Sequence, residues 1–200
     1  MLTVDLYHQY APFVVTFRNK LLSGQSLLYS WNDGLGQEFY AAYANYAASP
    51  LNLFSVFFNA KTIPVFIGLV TCLRAGLSGL FMMFFLSEND NRRVDNITVV
   101  FACSYALCGW YISYFWNIMW CDAVVLLPLV TLGLRRLLLD RRIDLYAISL
   151  AVLIYSNYYA GYFVCLFLVM FAPVYYLALY QPSKDKSAPH RLCPKTFADL

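Results

Sequence analysis

The chain has 200 residues, of which 61% are hydrophobic and only 12% are charged, and its mean hydropathy is +0.58. Soluble domains carry about 25% charged residues, so this composition, together with apolar runs of about 20 residues, indicates a polytopic membrane protein. The net charge of +3 is too small to indicate nucleic-acid binding, and the distribution of charge along the chain is more informative.

Residues 1–61, the N-terminal segment, are polar and aromatic and precede the apolar spans. The segment has neither the basic start nor the apolar core of a signal peptide. Residues 38–48 combine good helix formers with three tyrosines spaced three residues apart, which places their rings near one face of a helix. Pro50 ends that helix, and residues 51–60 predict a second short helix. Both helices are expected to lie along the lipid headgroups.

Five apolar spans predict an all-α transmembrane bundle over residues 62–180. Because the hydrocarbon core holds no water, each span must satisfy its own backbone hydrogen bonds, as a helix does. About 20 residues cross a core of about 30 Å, so the third span is somewhat short and the fourth is shorter still. The spans cover about residues 62–87, 97–115, 123–139, 144–157 and 159–180.

Basic residues occupy alternate connectors of this bundle. They occur in the first connector, at Arg92 and Arg93, in the third, with four arginines between 135 and 142, and in the tail of residues 181–200. The positive-inside rule makes these parts cytoplasmic. The N-terminal segment and the turns 117–122 and 157–159 are then predicted to share the outer face of the membrane.

Asp5 is the first candidate for chemistry, because a carboxylate at a membrane surface can act as a general base or hold a metal ion. The alternative is a helix N-cap on a solvated loop. His8, three residues later, is either a second acid–base group or ligand, or a surface histidine that only forms hydrogen bonds.

A second group of candidates lies in the turn-rich part of the same segment. Asn32, Asp33 and Gly34 are typical of a turn, because these residues tolerate left-handed backbone conformations. The alternative is sugar recognition, in which the Trp31 ring stacks on a sugar face. The side chains of Asn32 and Asp33 would then bond the sugar hydroxyl groups.

Two charged residues of the spans are also candidates. Asp122, at the predicted outer mouth of the third span, either caps that helix or faces Asp5 across an outer vestibule. Arg74 lies near the middle of the first span, where an arginine costs roughly 2.5–3.5 kcal/mol to insert and marks a functional site by default. No other span carries an acid at that depth, so the expected partner is an anionic lipid headgroup or a residue of a missing part of the protein.

Asn157, Tyr158 and Tyr159 form the predicted turn between the last two spans. A tight turn between helices needs Asn or Gly, which explains Asn157 without any ligand. The alternative is a cluster of tyrosine hydroxyl groups at headgroup level that binds a lipid phosphate or a sugar.

The sequence contains no Walker loop, no G-x-G-x-x-G and no H-E-x-x-H motif. Soluble nucleotide chemistry is therefore not indicated. ATP and nucleotide sugars are not available on the outer face of a membrane. A sugar donor used there must be carried by a lipid.

Several spaced motifs resemble the YfhO family of bacterial membrane proteins. The resemblance covers nearly all of residues 3–180, and the motifs occur in the order of the outer loops of that family. They are Asp5-Leu6-Tyr7-His8-Gln9-Tyr10-Ala11-Pro12-Phe13, Gly24, Ser26-Leu27, Tyr29-Ser30-Trp31-Asn32, Gly34-Leu35-Gly36, Ala48-Ser49-Pro50-Leu51-Asn52-Leu53, Asn117-Ile118-Met119-Trp120 with Asp122 and Leu127-Pro128-Leu129, and Asn157-Tyr158-Tyr159 with Gly161-Tyr162.

That family is similar to GT-C glycosyltransferases, which transfer a sugar from a polyprenyl-phosphate carrier on the outer face. The resemblance implies a GT-C-like fold in the bacterial cytoplasmic membrane, with Asp5 as the catalytic carboxylate of the first outer loop. It also implies a Firmicute-type bacterium, an envelope acceptor such as teichoic acid, and a cytoplasmic enzyme that loads the carrier. The residues expected to bind substrate are His8, Gln9, Trp31, Asn32, Asp33, Arg74, Asp122, Asn157, Tyr158 and Tyr159.

Glycosyl transfer from a phosphate carrier needs a base for the acceptor hydroxyl and positive charge for the departing phosphate. Asp5 can supply the base. The candidates for the positive charge at the phosphate are Arg74, Arg18 and a bound divalent cation, so the sequence does not decide whether a metal cofactor is needed. Family members are longer, with an earlier helix, later spans and a C-terminal outer domain. The chain is therefore expected to be an N-terminal fragment that is inactive alone.

Two other functions fit the composition. A lipid-linked sugar flippase or transporter would use Arg74 and the outer vestibule as a substrate path, and it predicts paired charges and broken helices within the membrane. A non-catalytic scaffold predicts that Asp5, Asp33 and Asp122 are all dispensable. The resemblance favours the glycosyltransferase.

Overall fold

A computed structural model of the chain describes residues 5–32, 34–89 and 94–179. Within these residues the chain is almost entirely helical, which confirms the prediction of an all-α polytopic membrane protein. The described helices that are long and apolar enough to cross a membrane are Ile63–Glu88, Asn96–Tyr114, Ile118–Asp140 and Tyr158–Leu177. A shorter apolar helix, Asp144–Ser156, precedes the last of them.

The N-terminal segment begins with a helix that is not among the sequence predictions. A π-helical turn, Leu6–Tyr10, leads directly into helix α1, Ala11–Ser23. Pro12 lies in the first turn of α1, where its missing N–H costs no helical hydrogen bond. Gly24 ends α1 with φ of 64°, a left-handed conformation that glycine adopts without a Cβ penalty.

A short β-hairpin follows α1. Strands β1, Tyr29–Ser30, and β2, Gln37–Glu38, pair antiparallel. Gly36 has φ of 96°, and a Cβ there would lie 2.3 Å from the Tyr29 hydroxyl oxygen and 2.9 Å from the Trp31 ring. Glycine at this position therefore lets both rings pack against the backbone of the hairpin.

Helical turns connect the hairpin to the first span. They are α2, Tyr40–Ala42, a π-helical turn, Tyr43–Ala47, and a 3₁₀ helix, Pro50–Phe57. The 3₁₀ helix keeps an exposed apolar face, formed by Leu53, Phe54 and Phe57. Such a face is what an interfacial helix presents to lipid.

Two tyrosines of the predicted face, Tyr43 and Tyr46, pack on α1, whereas the third, Tyr40, is exposed. Tyr43 stacks on Phe17 with ring centroids 5.4 Å apart, and Tyr46 stacks on Phe13 with centroids 5.0 Å apart. Packing on the aromatic side chains of α1 removes the rings of Tyr43 and Tyr46 from water.

The helices of the bundle differ from the predicted spans at two places. They are α3, Ile63–Asn89; α4, Asn96–Ala106; α5, Gly109–Tyr114; α6, Ile118–Asp140; α7, Asp144–Ser156; and α8, Tyr158–Leu179. The second predicted span is divided into α4 and α5 at Leu107 and Cys108. Helix α6 begins at Ile118 rather than at 123, because Ile118 and Met119 are buried in one hydrophobic core with Leu6 and Tyr10.

Helix α6 is the centre of the bundle and packs against α3, α7 and α8. In its apolar window 61% of the residues are buried, compared with 22% or less in the other candidate spans. Helix α7 has 13 residues and is about 20 Å long, so it is shorter than the hydrocarbon core, as the sequence predicts. Changes in α6 should therefore disturb the bundle most.

Gly133 is where α6 and α7 approach closely. A Cβ at Gly133 would lie 2.5 Å from the backbone nitrogen and 2.6 Å from the Cα atom of Tyr146. Because a packed backbone cannot move aside as a side-chain tip can, Gly133→Ala should separate the helices and cost about 1–3 kcal/mol of unfolding free energy. Thermal unfolding in detergent measures this loss. The control is Gly76→Ala in α3, where the added Cβ meets nothing within 4 Å, and equal melting of both variants would contradict the prediction.

The N-terminal segment and the turns before α6 and α8 meet at one end of the bundle, which we call the Asp5 end. Tyr10 bonds Asn117, which precedes α6, and the side chain of Asn157, which precedes α8, bonds the Asn45 carbonyl oxygen. The structure thereby gathers the three parts of the chain that are predicted to share one face of the membrane.

The opposite end of the bundle, the Glu88 end, is basic. Arg136 Nε donates to the Glu88 carboxylate at 2.7 Å, and Arg135 Nη1 donates to the Glu88 carbonyl oxygen at 3.3 Å. Both arginines lie within α6, not in the third connector as predicted. The helix continues to Asp140, and these long side chains reach the end of α3 from it.

Candidate functional site

Asp5 lies at the exposed start of the π-helical turn, at the Asp5 end of the bundle. Its side chain does not bond the first N–H groups of the helix. The structure therefore does not support the N-cap alternative. The carboxylate is left open to a substrate on one side and to Tyr10 on the other.

Tyr10 connects the Asp5 carboxylate to the core of the bundle. Its side chain is 4% exposed, and its hydroxyl donates to Asn117 Oδ1 at 3.3 Å. Burial, together with the negative charge and the hydrogen bond of Asp5, raises the pKa of Tyr10 to about 12. Tyr10 stays protonated at neutral pH, and its single hydroxyl proton can go to Asn117 Oδ1 or to the Asp5 carboxylate, but not to both at once.

His8 and Gln9 lie in the same helical turn. His8 is exposed, and its ring meets Tyr7 edge-on with centroids 5.0 Å apart. Gln9 is half-buried, and its Nε2 donates to the Tyr46 hydroxyl at 3.2 Å. His8 is thus open to a substrate next to Asp5, whereas Gln9 is partly committed to holding Tyr46 on the helix.

Arg74 and Asp122 form a buried, bidentate ion pair between α3 and α6. Arg74 Nε lies 2.8 Å from Oδ1 of Asp122, and Nη2 lies 2.9 Å from Oδ2. The two side chains are 2% and 7% exposed. Nη2 also donates to Ser49 Oγ at 3.1 Å, which ties the N-terminal segment to the pair.

This ion pair corrects two predictions. Arg74 has an acidic partner within the chain, and Asp122 neither caps α6 nor faces Asp5. The backbone positions of Arg74 and Asp122 lie at different depths, but side chains on a helix lean toward its N-terminus. The N-termini of α3 and α6 both lie at the Asp5 end, so the long stem of Arg74 carries its guanidinium toward Asp122.

Trp31 and Asn32 lie in the hairpin, apart from Asp5. Trp31 is 78% exposed, and with Asn32 and Lys20 it lines a cavity of about 340 Å³. The helix that runs from Leu6 to Ser23 places Asp5 about 20 Å from Lys20, at 1.5 Å per residue. The structure therefore does not bring Trp31 and Asn32 together with Asp5. Asp33 lies outside the described residues.

Asn157 is a buried helix cap. Its Oδ1 accepts from the Ala160 N–H at 2.7 Å, and its Nδ2 donates to the Asn45 carbonyl oxygen at 2.6 Å. Both ends of the amide are occupied, so the structure supports the turn alternative and not a substrate contact. Tyr158 and Tyr159 are exposed at the same turn and remain open to a ligand.

The role of Tyr10 is one that sequence reasoning missed. Asp5 and Tyr10 are five residues apart, a spacing that turns side chains to different faces of an α-helix. In a π-helix the wider turn brings residues at this spacing onto one face. No signal in the sequence distinguishes the two helix types here, so the contact becomes visible only in the structure.

A pair of tyrosines that no sequence motif indicates also joins the N-terminal segment to the bundle. The Tyr43 and Tyr155 hydroxyl oxygens lie 2.6 Å apart and share a hydrogen bond. Burial, followed by this hydrogen bond, raises the pKa of Tyr43 well above its ordinary value. The bond ties the N-terminal segment to α7. Because Tyr43 and Tyr155 are far apart in the chain, the sequence does not indicate this contact.

Both arginines predicted to meet the phosphate, Arg18 and Arg74, are already bonded to protein groups. Arg18, a predicted phosphate partner, is half-buried and bonds the Phe58 carbonyl oxygen and Asn19 Oδ1. Across residues 5–32, 34–89 and 94–179, no three His, Cys, Asp or Glu side chains cluster as a metal site. His8 is therefore the basic side chain that the helix places beside Asp5.

Comparison with known proteins gives one family. Residues 1–193 match the family model described as bacterial membrane protein YfhO. The matched range includes the whole bundle and the elements that carry Asp5, Arg74 and Asp122. No curated protein and no solved structure matches the chain.

Proposed function

Because the chain belongs to the YfhO family of bacterial membrane proteins, we propose that it is part of a membrane glycosyltransferase. The enzyme would move a sugar from a polyprenyl-phosphate carrier to a glycopolymer of the cell envelope, such as a teichoic acid. The observation that carries the proposal is the Asp5 carboxylate, exposed at the Asp5 end and adjoining a buried, protonated tyrosine.

Charge distribution supports an outward orientation of the Asp5 end. Arg135, Arg136, Arg141 and Arg142 all lie at the opposite end, whereas the turns that adjoin α6 and α8 at the Asp5 end carry no Lys or Arg. The positive-inside rule places the basic end in the cytoplasm. A donor that reaches Asp5 must then be lipid-borne, and a cytoplasmic enzyme would load the carrier.

The proposed reaction assigns Asp5 the role of general base. The acceptor hydroxyl oxygen attacks the anomeric carbon of the donor sugar, and the bond from that carbon to the phosphate oxygen breaks. Asp5 takes the hydroxyl proton as the glycosidic bond forms, and polyprenyl phosphate leaves with the bonding electron pair. Tyr10 adjoins the carboxylate as a neutral, buried neighbour, and His8 is placed to contact the phosphate.

Arg74 has a different role in this proposal from the one expected. Its guanidinium is buried and already bonded to Asp122, so it does not reach a phosphate in the membrane interface. The pair instead holds Ser49, α3 and α6 together. Asp122 and Asn157 likewise support the site rather than contact substrate.

The test is sugar transfer by the complete gene product in proteoliposomes. A labelled sugar on polyprenyl phosphate is supplied with purified envelope glycopolymer, and label in the polymer is counted. We expect transfer from the carrier-linked donor and none from the corresponding nucleotide sugar. Absence of transfer by well-folded protein would reject the proposed activity.

A transporter of lipid-linked sugar is the second candidate, because two observations favour it. The Arg74–Asp122 pair is a paired charge inside the bundle, and the second predicted span is broken between α4 and α5. The same proteoliposomes distinguish the two functions. Carrier-linked sugar that crosses the bilayer without reaching the glycopolymer would favour transport.

A further inference from the structure

A cavity lies where the end of α1 meets the hairpin, and the proposed reaction does not use it. Its volume is about 340 Å³, and its lining includes Lys20, Gln25, Tyr29, Trp31 and Asn32. The lining combines a cation, amide groups and aromatic rings. These groups suit a ligand with hydroxyl groups, an apolar ring face and negative charge.

Lys20 brings a buried positive charge to this cavity. Its side chain is 5% exposed, and its Nζ donates to the carbonyl oxygens of Ser26 at 3.0 Å and Tyr29 at 2.6 Å. No carboxylate among the described residues forms an ion pair with it. Besides these two bonds, Nζ lies 5.3 Å from the centroid of the Phe39 ring. None of these neighbours carries a negative charge, and a bound anion would offset the cost of the buried ammonium.

Trp31 gives the cavity a fixed aromatic surface. One side of its ring packs against Gly36, where a Cβ would lie 2.9 Å from the ring, and Tyr29 meets it edge-on with centroids 5.0 Å apart. The side chain is nevertheless 78% exposed. A held ring with an open face is the arrangement on which a sugar ring stacks.

We propose that this cavity is a second binding site, which holds an anionic glycan with one sugar ring on Trp31 and a phosphate or carboxylate group at Lys20. Asn32 and Gln25 bond the hydroxyl groups of the glycan. The site lies about 20 Å along the helix from Asp5, too far for one monosaccharide to touch both. It therefore favours an extended strand over a small acceptor.

The assignment of this strand as the acceptor rests on the proposed function, but the binding site does not. A strand bound at Lys20 and Trp31 could extend along α1 until one of its hydroxyl groups reaches Asp5. Binding at this distance positions the reacting hydroxyl group, whereas the proton transfer itself takes place at Asp5.

The test measures binding, not transfer, by the complete gene product in nanodiscs. The probes are phosphorylated maltotetraose, neutral maltotetraose and inorganic phosphate. Wild type should bind the phosphorylated sugar about tenfold more tightly than either of the other two, since only that probe meets both Trp31 and Lys20. Added salt should weaken this binding, as for any charge-dependent contact.

Three variants assign the contacts. Trp31→Ala should weaken binding about three- to tenfold, and Lys20→Gln should abolish the preference for the phosphorylated probe together with the salt dependence. Phe57→Ala is the matched control, because Phe57 is 79% exposed in the same segment but outside the cavity. If Lys20→Gln does not fold, the variants Trp31→Ala and Asn32→Ala, at exposed positions, still test whether the cavity binds the glycan.

Two outcomes would overturn the inference. They are equal affinity of wild type for the phosphorylated and neutral probes, and wild-type affinity in Trp31→Ala. Binding without any sugar transfer would reject the proposed function alone, whereas transfer without binding at this cavity would reject the second site alone.

Discussion

Replacing Asp5 by Asn in the complete gene product should lower the rate of sugar transfer by about 100- to 10,000-fold, the usual contribution of a general base. Asn keeps the size of the side chain and the start of the helix, but it cannot take a proton from the acceptor hydroxyl. Asp5 is exposed, so the variant should fold with little change in stability. The rate is measured in proteoliposomes at equal protein content.

A matched acid separates this effect from a change in surface charge. Glu38 is an exposed acid in β2 of the same segment, and Glu38→Gln should transfer sugar at nearly the wild-type rate. In the living bacterium, Asp5→Asn should leave the envelope glycopolymer without its sugar. Normal modification of the glycopolymer at normal protein level would exclude Asp5 as the base.

Replacing Arg74 by Met should lower the free energy of unfolding by about 3–5 kcal/mol, the usual cost of removing one partner of a buried ion pair. Met preserves an unbranched stem of similar length, so the main change is that the Asp122 carboxylate is left buried without its counterion. Ser49 loses its donor as well. Reversible unfolding in mixed micelles measures the loss.

The double variant Arg74→Met with Asp122→Leu should recover most of that stability. Two buried apolar side chains require neither charge to lose water, so the replacement of a buried pair is often neutral or stabilising. Each single variant leaves one buried charge unpaired and the double variant leaves none, so the two substitutions should be strongly non-additive, with a coupling energy above the usual range of about 0.5–3 kcal/mol.

An exposed ion pair at the Glu88 end provides the control. Arg142 and Asp144 lie 3.5 Å apart, with side chains 68% and 67% exposed, and exposed pairs contribute about 0–1 kcal/mol. Arg142→Gln should therefore change stability little. If Arg74→Met costs no more than this control, the buried pair does not hold α3 and α6 together as described.

Three contacts place the N-terminal segment on the bundle. Ser49 is bonded to the Arg74–Asp122 pair, Tyr10 to Asn117, and Asn45 to Asn157. The contacts join the segment to the interior of α3, to the residue before α6 and to the residue before α8. The position of the Asp5 carboxylate thus depends on the packing of the whole bundle, although Asp5 itself lies at the surface.

The sequence alone determined the class of fold, and it predicted the approximate spans and Asp5 as the candidate catalytic residue. These features depend on local properties. The hydropathy of a span is a sum over the residues of one helix, and the motif around Asp5 is a continuous stretch of the chain. Local reasoning failed at α1, where polar residues conceal a helix, and at the start of α6. There the first turn is buried by the N-terminal segment rather than by lipid.

Only the tertiary structure decided which candidate residues meet. It paired Arg74 with Asp122, made Asn157 a helix cap, and separated Trp31 from Asp5 by the length of a helix. The physical reason is that side-chain direction, helix type and the meeting of helix ends set these distances. A π-helical turn brings Asp5 to Tyr10, and the common direction of α3 and α6 brings an arginine from mid-helix to a buried acid near the start of α6.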